Sequence, residues 1–203
     1  MRTSLRYGSL PDLADNNQRF AEAGNPIAPP AVYHRRLADE HRRALKESGF
    51  DKNYPDLKRF CLDQRQIHGV ANRRMIEAVR SNPDVQGYCV HAPTDGDWII
   101  GAGLLDLFRN PKTYAYQGTK AASQPRILSI RVRPRNVYAG RGTKIEITGV
   151  NELDAIGGNL KVEVAAGDGE IVFTKTIKAK LGSGITPLFS GPFDTKALRG
   201  RIR

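Results

Sequence analysis

With 203 residues, 39% of them hydrophobic and 26% charged, the chain has the composition of a soluble globular protein, with enough length for one good core or two small ones. No run of about eighteen apolar residues exists, so no membrane-spanning helix is expected, and Met1-Arg-Thr-Ser-Leu-Arg-Tyr7 lacks the apolar stretch of a secretory signal. Two cysteines, Cys61 and Cys89, make neither a disulfide framework nor a zinc signature and read as buried free thiols.

In chain order, residues 11–23 read as a helix with Leu13, Phe20 and Ala23 on one side, broken by Asn25-Pro26 and Pro29-Pro30. A second helix over 30–48 places Tyr33, Leu37, His41 and Leu45 in an i, i+4 row, with Gly49 as its stop. A third, long helix over 55–80 starts on proline and carries Leu57, Phe60, Cys61, Ile67, Ala71, Met75, Ala78 and Val79 as its apolar row. Ser81-Asn-Pro83 ends it. The β-forming run 85–91 follows; a strand arriving straight after a long amphipathic helix is the second half of a βαβ unit and predicts a parallel sheet. Residues 92–110 form a polar, Gly-rich loop holding the single tryptophan, where α/β proteins keep ligand sites, and 111–122 read as a short closing helix.

Near Gln124-Pro125 the pattern changes from helical spacing to period two. Leu128, Ile130 and Val132 alternate with Ser129, Arg131 and Arg133. Ile145 and Ile147 alternate with charged neighbours, as do Leu160, Val162 and Val164, and a run over 171–177 follows a Gly-Asp-Gly turn. This predicts two units, 1–124 and 125–203, the second an antiparallel β-sandwich of the immunoglobulin type. With four or five clear strands, and a strand just beginning at Leu198-Arg-Gly-Arg-Ile-Arg203, that sandwich reads as cut short. The fold class expected is therefore α+β, mostly helical and then antiparallel β.

The net charge of +11 raises the question of nucleic acid. Residues 1–124 hold 18 basic against 14 acidic side chains and 125–203 hold 14 against 7, so the charge is dispersed. The densest cluster, Arg131, Arg133 and Arg135, reads as the solvated outer face of a half-buried strand. Neither a nucleic-acid nor a membrane partner is expected.

Gly87-Tyr-Cys-Val-His-Ala-Pro-Thr-Asp95 and Gly101-Ala-Gly-Leu-Leu-Asp-Leu-Phe-Arg-Asn-Pro-Lys112 resemble the end of the catalytic barrel in glycoside hydrolase family 2, which includes β-galactosidases, β-glucuronidases and β-mannosidases. Tyr7-Gly-Ser-Leu-Pro-Asp-Leu13 is similar to the segment beyond the seventh barrel strand, and Pro134-Arg-Asn-Val-Tyr138 with Gly140 resembles the start of the immunoglobulin-like domain that follows the barrel. The resemblance implies the last portion of a (β/α)8 TIM barrel, the partial sandwich, and a retaining β-glycosidase as parent, acting on β-linked glycosides.

A whole barrel takes about 250 residues, and retaining hydrolysis needs two carboxylates about 5–5.5 Å apart. By resemblance the acid/base comes from a fourth strand that this chain lacks. The nucleophile would be a glutamate just before Tyr7, where Ser4 stands, so no catalytic residue is assigned and the chain is expected to be catalytically incomplete. The resemblance makes His91, Asp95, Asp97 and Trp98 candidate sugar contacts: His91 at a strand end, the two aspartates as hydroxyl acceptors, and Trp98 as a stacking face. Asp95 and Asp97 alone are too few for calcium, so no metal is expected, nor any cofactor. Asp106 and Arg109, at i, i+3 spacing, read as a structural pair. His34, His41 and His68 read as surface or satisfied residues. A second reading makes the chain a carbohydrate-binding or partner-docking module without catalysis, and a truncated barrel or sheet would self-associate through its open edge. The sequence does not name a compartment.

Overall fold

A computed structural model of the chain describes residues 2–5, 10–96 and 101–196. They divide into two compact units, Met1–Ile76 with Gln86–Ala122, and Glu77–Val85 with Ser123–Arg203.

In the first unit β1 (Arg2–Leu5) and β2 (Gly87–Val90) pair in parallel, Arg2 opposite Gly87 and Leu5 opposite Val90. Between them run α1 (Leu13–Glu22), α2 (Pro29–Glu47), a short 3-10 turn (Phe50–Lys52) and α3 (Leu57–Arg80); α4 (Ala115–Ala122) follows β2. The parallel pairing expected of a strand after a long helix is present. The two strands form a sheet by themselves, so there is no closed barrel among the described residues.

Local chemistry sets the helix ends. Asp12 caps α1 by accepting the Asp15 N–H at 3.0 Å, prolines open α2, and Gly49 takes the left-handed φ of 72° that lets the chain turn after it. The helix expected from residue 111 starts only at Ala115, because Tyr114 sits at φ 69°, outside the helical region.

The core gathers Leu13, Ala38, Leu45, Leu57 and Cys61, with Leu10, Leu37 and Phe60 against it. Two expected rows are displaced. On α2 the buried residues are Ala31, His34, Ala38 and Leu45, with Tyr33, Leu37 and His41 half-buried beside them. On α3 they are Leu57, Cys61, Arg65, His68, Gly69, Asn72 and Ile76, while Ile67 and Val70 face outward. On α3 the cause is a close crossing with α4. A methyl on Gly69 would overlap the carbonyl of Tyr114, and one on Gly118 the carbonyl of Gly69, so only glycine lets α3 and α4 approach. Asn72 donates across the same crossing to Thr119 at 3.2 Å. Cys61 is buried as expected, and burial raises its thiol pKa; Cys89 is exposed, contrary to expectation.

The second unit holds two antiparallel sheets, β3 (Arg126–Arg133), β4 (Thr143–Asn151) and β7 (Gly184–Phe193) in the order β3-β4-β7, and β5 (Ile156–Ala165) with β6 (Ile171–Leu181). Ile145, Ile147, Val162 and Phe193 form its core. The strand predicted to begin at Leu198 lies outside the described residues, whereas β7, an edge strand among the described residues, is one that composition hides. Its Pro187 and Pro192 are tolerated because β7 is the outermost strand of this sheet among the described residues.

The period-two reading of β3 holds, but its faces are exchanged. Ile127 and Ser129 are buried, and Arg131 is half-buried, donating to the Ala78 carbonyl and to Ser81. Leu128, Ile130 and Val132 are 40%, 60% and 39% exposed. The end of α3 covers the face that Ser129 and Arg131 share, so Arg131 is not on a wholly solvated face.

Candidate functional site

The loop leaving β2 is built around a buried ion pair. His91, the first residue beyond the strand, is half-buried, and Ala92 after it takes φ 58°. That left-handed turn bends the chain sharply away from the strand axis, so His91 stands at the C-terminal end of a parallel pair, where α/β folds present ligand-binding groups.

Asp95 comes next and is 4% exposed. Its Oδ1 accepts the Gly103 N–H at 2.8 Å and Lys112 Nζ at 3.0 Å, and its Oδ2 meets the same ammonium at 2.8 Å. Lys112 is 2% exposed and also donates to the Gly101 carbonyl at 3.2 Å. Around this pair the backbone closes on itself: Asp95 N–H donates to the Leu105 carbonyl, and Lys112 N–H to the Leu104 carbonyl, each at 2.9 Å. Gly103 is required here because a Cβ would overlap the backbone of Thr94 and Asp95. Burial lowers the Lys112 pKa and the Asp95 carboxylate opposes that shift.

The remaining charges serve the same loop. Asp106 Oδ1 accepts the backbone N–H groups of Phe108 and Asn110 at 2.9 and 2.8 Å, closing a turn. Arg109, at φ 70°, donates to the Asp95 carbonyl at 3.3 Å. Asp106 and Arg109 meet through the backbone, the Arg109 N–H donating to the Asp106 carbonyl at 3.0 Å, while their side chains bond other backbone groups: a carboxylate two residues ahead of a free N–H closes an Asx turn without reaching the guanidinium.

Of the four candidate sugar contacts, the structure places His91 at the strand end and Asp95 inside the loop, and Asp97 and Trp98 lie outside the described residues. Sequence reasoning gave Lys112 and Arg65 no role in the site and read His68 as an unremarkable surface or satisfied residue. His68 is fully buried on α3, and burial, aided by the positive charges of Lys112 and Arg65, lowers its pKa from 6.5 to about 4. Stepping from Cys61 by four, three and four residues along α3 lands on Arg65, His68 and Asn72, so helical spacing alone would have found them had polar residues been allowed in the row. No group of three or more His, Cys, Asp or Glu side chains able to hold a metal ion occurs among the described residues.

No protein-family model matches the chain, and no curated protein matches it. Among solved structures it is similar to the β-D-mannosidase from Dictyoglomus thermophilum, with a TM-score of 0.55 and 22% sequence identity over 70% of this chain. The match covers 17% of the mannosidase chain, so this chain spans a small part of that protein's length. At that identity the likeness is one of fold: the chain shares the backbone arrangement of part of a glycosidase.

Proposed function

We propose that the chain corresponds to part of the catalytic barrel of a family 2-like retaining β-glycosidase followed by strands of an immunoglobulin-like sandwich, supplying one wall of a sugar site. The observation that carries the reading is the parallel β1–β2 pair joined through helices, with an anchored loop at its C-terminal end, in a chain whose fold is shared with part of a β-mannosidase. In this reading β1 and β2 are the last two barrel strands. His91 hydrogen-bonds a sugar hydroxyl, and Asp97 and Trp98 supply a further acceptor and a stacking face. Asp95 holds the loop in place through Lys112.

Hydrolysis with retention needs one carboxylate as nucleophile and another as acid/base, about 5–5.5 Å apart across the glycosidic bond. The carboxylates that the described part of the loop offers, Asp95 and Asp106, are committed to Lys112 and to backbone N–H groups. In this reading the chain by itself binds sugar without cleaving it. A panel of aryl β-glycosides should show no turnover above buffer, while β-mannosides and related glycosides shift the ring resonances of His91. Turnover would overturn the incompleteness, and a panel in which no glycoside moves His91 would overturn the sugar wall.

A further inference from the structure

The outward face of the β5–β6 sheet is divided by charge. Leu160, Val162 and Val164 on β5 and Phe173 on β6 pack into the core of the second unit, so by strand alternation the residues between them face away from it. At one end of that face stand Gly157 opposite Lys180, Asn159 opposite Lys178 and Lys161 opposite Thr176, all of them exposed. The acidic side chains lie toward the other end: Glu163 opposite Thr174 and, in the turn between the strands, Asp168 and Glu170.

Like charges are crowded at the basic end. Lys178 and Lys180 are rooted about 7 Å apart, two residues along one strand, and Lys161 stands diagonally from Lys178 at about 7–8 Å. Spacings of this order lie within the Debye length of about 8 Å, so the three charges repel. Lys161 is answered by Glu163 at 2.6 Å, whereas Lys178 and Lys180 form no ion pair among the described residues. Beside them the surface is hollow. Gly158, Asn159, Lys178, Ala179 and Lys180 line an open trough of about 430 Å³. A Cβ on Gly157 or Gly158 would meet nothing within 4 Å, so bare backbone lies next to the lysine stems with room above it.

We infer that this trough binds an anionic polysaccharide, with sulfate or carboxylate groups on Lys178 and Lys180 and sugar hydroxyls on Asn159 and Thr176. The residue types select that partner. This end of the face offers an amide and a hydroxyl to sugar hydroxyls, but no aromatic side chain on which a base stacks, which counts against single-stranded nucleic acid. It has no large apolar side chain to enter a bilayer, which counts against an anionic membrane. Its cations are lysines, point charges that take anions in varied positions, where a site for one fixed oxyanion uses the planar fork of arginine. The face belongs to the second unit and needs nothing from the loop that carries His91.

The test follows the fluorescence anisotropy of a labelled heparin oligosaccharide titrated with the full chain at about 50 mM salt. Lys178→Gln combined with Lys180→Gln should weaken binding about tenfold and flatten the slope of log affinity against log salt by about 1–2. Lys46→Gln combined with Lys58→Gln removes the same charge from exposed positions of the first unit and should change the affinity less than about twofold. Gly157→Glu, whose side chain enters open space, sets a carboxylate beside the trough and should weaken binding as the first pair does. Circular dichroism checks that each variant keeps its fold. Equal losses in the two lysine pairs would reduce the effect to net charge and overturn the inference. So would an absence of binding, or a thymidine oligonucleotide or polyglutamate of the same charge binding as tightly as the glycan. Displacement of the glycan by inorganic sulfate at equal charge concentration would overturn it too, leaving a contact for single anions only.

Discussion

Replacing Lys112 by methionine (Lys112→Met) isolates the ion pair that holds the loop. The chain length of the side chain is kept and the charge removed, leaving the Asp95 carboxylate 4% exposed with the Gly103 N–H as its remaining hydrogen bond. Arg109 does not replace the ammonium, because its guanidinium bonds the Asp95 backbone carbonyl. Breaking a buried pair by removing one partner costs about 3–5 kcal/mol. The backbone carbonyl of Gly101 also loses its Nζ donor, which keeps the expectation at the upper part of that range. With a urea dependence of about 2 kcal/mol/M, the unfolding midpoint of the first unit should fall by roughly 2 M, read from the fluorescence of the single tryptophan in this loop. Adding Asp95→Asn removes the orphaned charge and keeps an acceptor for Gly103, so the double variant should recover about half of the loss. A loss below about 1 kcal/mol, or no recovery in the double variant, would refute the claim that this pair organises the loop.

Two further outcomes follow from the packing around it. His68 has its pKa held at about 4 in the folded chain against 6.5 ordinarily, so the unfolded chain binds the extra proton between these values. Its neutral form is accommodated fully above pH 6.5, and stability is lost as pH falls toward 4, by roughly 3 kcal/mol over that window. Denaturant titrations of His68→Gln should lose this part of the acid slope; an unchanged slope refutes it. At the helix crossing, Gly118→Ala drives a methyl into the Gly69 carbonyl and should cost about 1–3 kcal/mol, lowering Tm by roughly 3–10 °C. Gly87→Ala, which meets open space, should leave Tm within about 2 °C, and equal shifts in both variants would refute the crossing as the cause.

Helix existence was legible because three long segments carry 3.6-residue spacing between proline and glycine punctuation, and the parallel pairing followed from a strand placed directly after a helix. Which face of α3 is buried was not legible. Its inward row runs through Arg65, His68 and Asn72, side chains that a hydrophobic pattern scores as outward, and two glycines on neighbouring helices turn that face inward. The ion pair of the site was half legible: Asp95 stood out in a polar loop, whereas Lys112, the last residue of the stretch 101–112, had no partner to name until the loop folded back over it.

The sequence by itself determined the two kinds of periodicity, the change from helix to strand near residue 124, and the loop that carries the candidate site. Tertiary structure alone decided which side of each element meets another. On β3 both alternating sets are able to be buried, one lined by Ile127 and the other by Ile130. The outcome depends on neighbours far along the chain: the end of α3 covers the first set, and the two-stranded β5–β6 sheet stops short of the second. Alternation fixes that two faces differ, but burial is a property of what packs against them.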